Sequence, residues 1–153
     1  MIKEMRVPGV EHPITIEADT VRVVARVGDA VIADTRSALT LREAGYPPVH
    51  YIPFNDLVPG ALRASTSDSY CPYKGDASYY DVVLPDGREL RDAAWTYRAP
   101  YPAVAAIAGH VAFYTDRIQV EAEAHETGQS RNALPAPSLI ARSKACGVTS
   151  DAG

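Results

Sequence analysis

The chain has little cysteine, and this limits the folds and metal sites that it can form. Cys71 and Cys146 are its two cysteines among 153 residues, and they form no Cys-x-x-Cys pair. Small secreted domains held by disulfides carry a much higher density of cysteine. The spacing of the four histidines does not suggest a zinc site either. The fold is therefore expected to depend on a hydrophobic core, with no metal and no cofactor.

Long apolar runs are also missing. The longest, residues 103–114, is shorter than the roughly 18 residues of a membrane helix and is interrupted by Gly109 and His110. The first ten residues lack the apolar stretch and cleavage site of a signal peptide. A net charge of -4 disfavours nucleic-acid binding. These absences predict a cytoplasmic protein that binds neither membrane nor nucleic acid, and they leave a homodimer open.

Familiar catalytic motifs are absent as well. The chain contains no G-x-S-x-G, no phosphate-binding loop, no dinucleotide glycine motif and no H-E-x-x-H. Lys74-Gly75 has the reverse order of a phosphate loop, and no helix is expected after it. Conventional binding of a nucleoside triphosphate is therefore disfavoured.

Short stretches of alternating apolar and polar residues occupy most of the chain before residue 124. They predict strands at residues 14–18, 21–27, 30–35, 37–43, 49–53, 77–84, 88–97, 110–114 and 117–123. Gly28-Asp29 and Asp86-Gly87 predict hairpin turns. The polar residues 55–70 predict a surface loop, and the last two strands are expected to form a closing pair.

The remaining segments complete the fold prediction. Residues 102–109 are rich in alanine, with Pro102 and Gly109 at the positions that favour the start and end of a short helix. Residues 124–153 have no periodicity and are expected to be a disordered tail. We predict a single domain over residues 1–123 with a mostly β, compact, antiparallel fold, either a barrel or two packed sheets, and one short helix.

The most unusual segment, residues 71–80, brings several reactive groups together. Cys71, Tyr73, Lys74, Gly75 and Asp76 supply a thiol, a phenol, an ammonium, a flexible backbone and a carboxylate within six residues. Lys74 would bind an anionic group, or act as a nucleophile if burial favoured its neutral form. The alternative is a surface ion pair of Lys74 with Asp76. Cys71 is either a reactive thiol near Lys74 or a buried, inert residue.

Aromatic residues form the second group of candidates. Trp95 and Tyr97 share one face of their predicted strand. With Tyr73 or Tyr79 they would form an aromatic wall for a flat or cyclic ligand, or else a hydrophobic core.

Two further side chains have open roles. Glu43 follows a predicted strand and precedes a Gly-Tyr-Pro-Pro corner, where its carboxylate is either exposed or part of a site. His110 follows the predicted helix, where it would either cap the carboxyl end or take part in catalysis.

The segments LREAGYPPVHYIP, CPYKGDASYY, AAWTY and PAVAAIAGHVAFY resemble, over residues 6–121, the bacterial and fungal family catalogued as domain of unknown function 427. That family is also labelled nucleotidyltransferase-like domain 9. The resemblance implies a β-tent, as in methionine sulfoxide reductase B and the ligand-binding domain of cereblon, with the ligand between two sheets. Relatives of that shape often carry a four-cysteine zinc site, which this chain lacks. The family's motifs fall on Glu43, Tyr51, Cys71, Lys74, Gly75, Trp95, Tyr97 and Phe113.

Three functions follow as hypotheses. The first is a metal-independent enzyme acting on a small polar or cyclic metabolite, and the second is a non-catalytic binding or sensor module using the same pocket. The third and weakest is nucleotidyl transfer, which needs paired carboxylates for magnesium, whereas alternation puts Asp76 and Asp81 on opposite faces. The predicted catalytic residues are Lys74, Glu43, Asp76 and Cys71, and the predicted binding residues are Tyr51, Tyr73, Gly75, Tyr79, Trp95, Tyr97 and His110.

Overall fold

A computed structural model describes residues 4–123, which form two antiparallel β-sheets. The strands are β1 (Ile14–Ala18), β2 (Val23–Val27), β3 (Ala30–Thr35), β4 (Leu39–Glu43), β5 (Val49–Pro53), β6 (Leu62–Cys71), β7 (Gly75–Val83), β8 (Glu89–Tyr97), β9 (His110–Phe113) and β10 (Gln119–Ala122). The larger sheet has the order β1-β4-β5-β9-β8-β7-β6, and the smaller has β10-β2-β3. The prediction of a mostly β, antiparallel fold is confirmed. The predicted disordered tail, residues 124–153, lies outside the described residues.

Of the two predicted alternatives, a barrel or two packed sheets, the described part of the chain has the second. The sheets do not close, because β1 and β6 remain the edges of the larger sheet and β10 and β3 those of the smaller. The architecture is therefore two sheets that pack on each other.

The predicted helix at residues 102–109 is also different in the structure. Pro102–Ile107 forms a 3-10 helix that is interrupted at Val104, whose φ of -126° and ψ of 27° are not helical. The segment is too short to stabilise an α-helix alone. Three residues per turn instead place Val104 and Ile107 on one side, where both are fully buried. Among residues 4–123, no helix has the length and apolar character that crossing a membrane requires.

Residues 55–70 do not form the predicted loop, because most of them belong to β6. This strand pairs only with β7, at the edge of the sheet, and most of its residues are exposed. The hydroxyls of Ser65 and Ser67 donate to the Asp92 carboxylate at 2.5 and 2.7 Å, where the register of β6 shifts. A strand that is wet on both faces has no apolar alternation, so its sequence resembles that of a loop.

The predicted closing pair of strands is wrong too. β9 pairs with β5 and β8 in the larger sheet, whereas β10 pairs with β2 in the smaller. The turn between them, in which the Ile118 amide donates to the Tyr114 carbonyl at 3.0 Å, carries the chain from one sheet to the other. Ile118 is fully buried and fixes this crossing in the core.

The larger sheet buries apolar side chains on both faces. Its first face packs against the smaller sheet and forms the inter-sheet core, which includes Val23, Ile32, Ile52, Val82, Val111 and Phe113. The opposite face carries the aromatic core, which includes Leu41, Tyr51, Tyr79, Trp95, Tyr97, Val104 and Ile107. Alternation assigns neighbours to different cores, as with Ala94 and Trp95 on β8.

The larger sheet curls around the aromatic core. Lys74, in the turn between β6 and β7, contacts Glu43 at the end of β4. Four strand spacings separate β4 from β7 in the sheet order. A flat sheet would hold these strands roughly 19 Å apart, at about 4.8 Å per spacing. The contact therefore requires strong curvature, which brings two distant parts of the sheet together.

Candidate functional site

A buried ion pair of Lys74 with Glu43 lies at the centre of the candidate site. The Lys74 ammonium donates to Oε1 of Glu43, and their side chains are 1% and 7% exposed. Backbone hydrogen bonds fix the turn, since Lys74 donates to the Cys71 carbonyl and accepts from the Tyr101 amide at 3.2 and 3.0 Å. The structure therefore places Lys74 in an internal ion pair with Glu43.

His12 joins this pair and was not among the residues singled out from the sequence. Its Nε2 lies 2.6 Å from Oε2 of Glu43, and its ring stacks on Tyr73 with the centroids 4.0 Å apart and the planes 5° from parallel. Its side chain is 23% exposed. The partners are 31 residues apart in the chain, so no local spacing signals the contact.

The Glu43 carboxylate is thus shared between two nitrogen groups, one on each oxygen. His12 is partly exposed, Glu43 is buried and Lys74 is fully buried, so the three form a chain from the surface to the interior. Hydrogen bonds linked in this way polarise and strengthen one another. The ring of Tyr97 lies 6.0 Å from Nζ of Lys74 and adds a cation–π contact.

Aromatic side chains continue the site along the same face of the sheet. Trp95 Nε1 donates to the Tyr51 hydroxyl at 3.2 Å, and the two rings meet edge to face. Trp95 also contacts Tyr114, with the centroids 4.5 Å apart, and Tyr114 stacks on Tyr79. Trp95, Tyr97 and Tyr79 thus share one face, as alternation implies, and they are packed against one another. Tyr114 was not singled out from the sequence, although the predicted strand 110–114 includes it.

Gly75 and Cys71 shape the turn that presents Lys74. Gly75 has a φ of +111°, and a Cβ there would lie 3.4 Å from the Ala99 carbonyl oxygen. The glycine therefore permits both the turn and its close approach to the neighbouring backbone. Cys71 pairs with Gly75 across the hairpin, and its side chain is buried in the aromatic core.

Two predicted site residues lie apart from the Lys74–Glu43 pair. Asp76 is exposed on the face of β7 opposite to Ala77 and Tyr79. His110 Nδ1 lies 2.9 Å from the Ala108 carbonyl oxygen, just beyond the 3-10 helix. That contact matches the capping alternative for His110.

The carboxylates considered for magnesium binding are not gathered in the structure. Asp81 accepts a hydrogen bond of 2.8 Å from the Asp92 amide, at a bulge between β7 and β8. Over residues 4–123, no group of three or more His, Cys, Asp or Glu side chains is placed to hold a metal ion.

Two tyrosine hydroxyls tie the amino-terminal segment to the start of the 3-10 helix, beside the site. The Tyr70 hydroxyl donates to the Glu4 carbonyl oxygen and lies 2.6 Å from the hydroxyl of Tyr101. Desolvation and the hydrogen bond with Tyr101 raise the pKa of Tyr70 to about 12, from 10.0.

A pH dependence follows for Tyr70. The folded state holds this proton more tightly than the unfolded state does, so the stabilisation is complete below about pH 10 and is lost as the pH rises towards about 12. We expect Tyr70→Phe to remove one late step from the absorbance titration of tyrosinate at alkaline pH. The difference in unfolding free energy between wild type and variant should shrink over the same interval. Identical titrations of the two proteins would contradict this assignment.

Comparison with known proteins gives a family and no function. No curated protein is significantly similar to this chain. A family model named NTP_transf_9 matches residues 15–124, which include Glu43, Lys74 and Trp95 but not His12. The matched range takes in all ten strands apart from the first residue of β1. The chain belongs to this family, which is described as Domain of unknown function (DUF427).

Proposed function

We propose that this protein is an enzyme acting on a small polar or cyclic metabolite, with Lys74 and Glu43 as its reactive groups. The observation that carries the proposal is the fully buried ammonium of Lys74, ion-paired on the aromatic face of the sheet. Replacing a buried ion pair by apolar residues is often neutral or stabilising. Stability alone is thus a weak reason for such a pair, and this supports a chemical role.

Each group has a distinct role in the proposed site. Lys74 donates hydrogen bonds to an anionic or carbonyl oxygen of the metabolite, where a positive charge stabilises developing negative charge. Glu43 takes up or returns a proton as general base or acid. Trp95, Tyr51 and Tyr79 contact the apolar part of the metabolite. The proposed chemistry uses side chains alone, without a metal.

A binding or sensor module is the second candidate. Two observations favour the binding module. Glu43 already neutralises the charge of Lys74, and the aromatic rings pack closely against one another. Such a site suits recognition of a ligand without turnover. Nucleotidyl transfer, to which the name of the family model refers, is a weaker candidate because Asp81 is bonded to the sheet backbone.

Thermal denaturation in the presence of small metabolites tests the site. A compound that binds the folded protein stabilises it by about 2.7 kcal/mol at a hundredfold excess over its Kd. We expect such a compound to raise the Tm of wild type and of the control Arg63→Met, which removes an exposed cation paired with Glu89. Lys74→Met should lose the shift. A shift of the same size in Lys74→Met would contradict the proposed site.

The same compound then separates the two functions. It is incubated with the wild-type protein and measured by mass spectrometry over time. Consumption by wild type but not by Lys74→Met supports the enzyme. Full recovery of the compound favours the binding module.

A further inference from the structure

The amino-terminal segment Glu4–Pro13 lies beside the Lys74–Glu43 pair without contributing to the core. None of its residues is buried, and its apolar side chains Met5, Val7 and Val10 are 51%, 73% and 97% exposed. A segment with few buried contacts opens locally at a small free-energy cost. It is therefore among the parts of the fold that detach most easily.

Its attachments are few, and most of them reach the part of the chain that ends in Lys74. The Arg6 amide donates to the Pro72 carbonyl at 2.8 Å, and the Glu4 carbonyl accepts from Tyr70. The side chain of His12 reaches further, bonding to Glu43 and stacking on Tyr73. The Pro13 carbonyl also accepts from the Ala44 amide at 2.8 Å, and His12 bonds to the buried carboxylate of Glu43.

We propose that the segment Glu4–Pro13 is a movable cover over Lys74 and that His12 is the latch that holds it closed. The inference rests on the proposed function, in which a metabolite must reach Lys74. With 1% of its side chain exposed, Lys74 is inaccessible while the cover is in place. Release of the His12–Glu43 bond is the step that gives access to the pair.

The chemistry of Glu43 makes this opening practicable. When His12 leaves, Oε2 of Glu43 is exposed to water, and Oε1 keeps its bond to Lys74. In the open state neither buried charge is left without a partner. A buried charge without a partner would raise the free energy of the open state by a large desolvation cost. Breaking the Lys74–Glu43 bond first would leave the ammonium buried and unpaired. The latch is therefore on the His12 side of the carboxylate.

Acylation of lysine measures access to Lys74 directly. The chain has three lysines, Lys3, Lys74 and Lys144, which lie in separate peptides after digestion. Folded protein is treated with the N-hydroxysuccinimide ester of acetate, and acetylation of Lys74 is followed by mass spectrometry, with Lys144 as the reference for reagent dose. We expect His12→Ala to raise the rate at Lys74 by about tenfold or more, because one hydrogen bond to a charged group no longer opposes opening. His12→Gln, which can still donate to Glu43, should lie between Ala and wild type.

A control variant separates local opening from general unfolding. Phe113→Leu weakens the inter-sheet core, on the face opposite to the cover. If it raises acetylation of Lys74 as much as His12→Ala does at equal loss of stability, global unfolding is the route and the latch is overturned. Wild-type rates in His12→Ala also overturn it. These rates are measured without a metabolite, so failure of the latch leaves the ligand test of Lys74 unaffected.

Discussion

Replacing Glu43 with alanine is expected to lower the free energy of unfolding by about 3–5 kcal/mol. The variant leaves the ammonium of Lys74, 1% exposed, without the carboxylate that compensates its charge. Urea unfolding followed by far-ultraviolet circular dichroism measures the loss. The control is a variant that breaks the exposed pair of Arg22 with Asp34, because breaking a solvated pair costs about 1 kcal/mol or less. This small cost is expected although Arg22 holds the pKa of Asp34 below its usual value.

The reverse deletion should be milder. Lys74→Met removes the buried ammonium, and Glu43 keeps His12 as a partner that can carry a positive charge. The double variant with Lys74→Met and Glu43→Leu should recover most of the stability lost in Glu43→Ala, because no charge is then left buried alone. A loss in Glu43→Ala no greater than that of the Arg22–Asp34 control would mean that the pair is more solvated than its burial indicates.

Trp95→Ala is expected to destabilise the protein by about 3–5 kcal/mol, the usual range for removing a large buried aromatic side chain. Trp95 is 4% exposed and contacts both Tyr51 and Tyr114, so its loss leaves a cavity within the aromatic core. Chemical unfolding followed by circular dichroism is suitable, because the variant removes the only tryptophan of the chain.

The matched control for Trp95 is Tyr46→Ala, which truncates an exposed aromatic residue in the loop after β4. Its effect should stay within about 0.5 kcal/mol. Similar losses in the two variants would argue against a tightly packed aromatic core, and would favour rings that move apart readily to admit a ligand.

The strands that could be predicted from the sequence are those that carry stretches of alternating apolar and polar or small residues. Tyr79 and Trp95 fall on the aromatic face because side chains alternate along β7 and β8. The same rule fails for β6, where Ser65 and Ser67 bond to Asp92 and no apolar period exists. Asp92 itself has a φ of +51°, a local irregularity that a two-residue period cannot express.

The site was predictable in part. Lys74 and Glu43 each stood out in the sequence, yet their contact spans 31 residues and depends on the curl of the sheet. Curvature of this kind comes from twist and from bulges, such as the register shift between Tyr80 and Val82, which leave little mark on hydrophobic patterning. His12 was unpredictable for a different reason, since it reaches Glu43 through the pairing of β1 with β4, in which Ile14 lies opposite Glu43, and residues 31 apart in the chain carry no local signal of that pairing.

The closing of the curled sheet by Lys74 and Glu43 has a kinetic consequence. The groups that meet come from widely separated parts of the chain, and contacts of long sequence separation slow folding because loops must close before they form. Hairpins such as β7–β8 are local and can assemble early, whereas the contact of the ammonium with its carboxylate must wait for the intervening strands. A nascent chain that ends before β9, or a truncated fragment without β4, therefore presents Lys74 to water, and the Lys74–Glu43 pair forms only when the intervening strands are assembled.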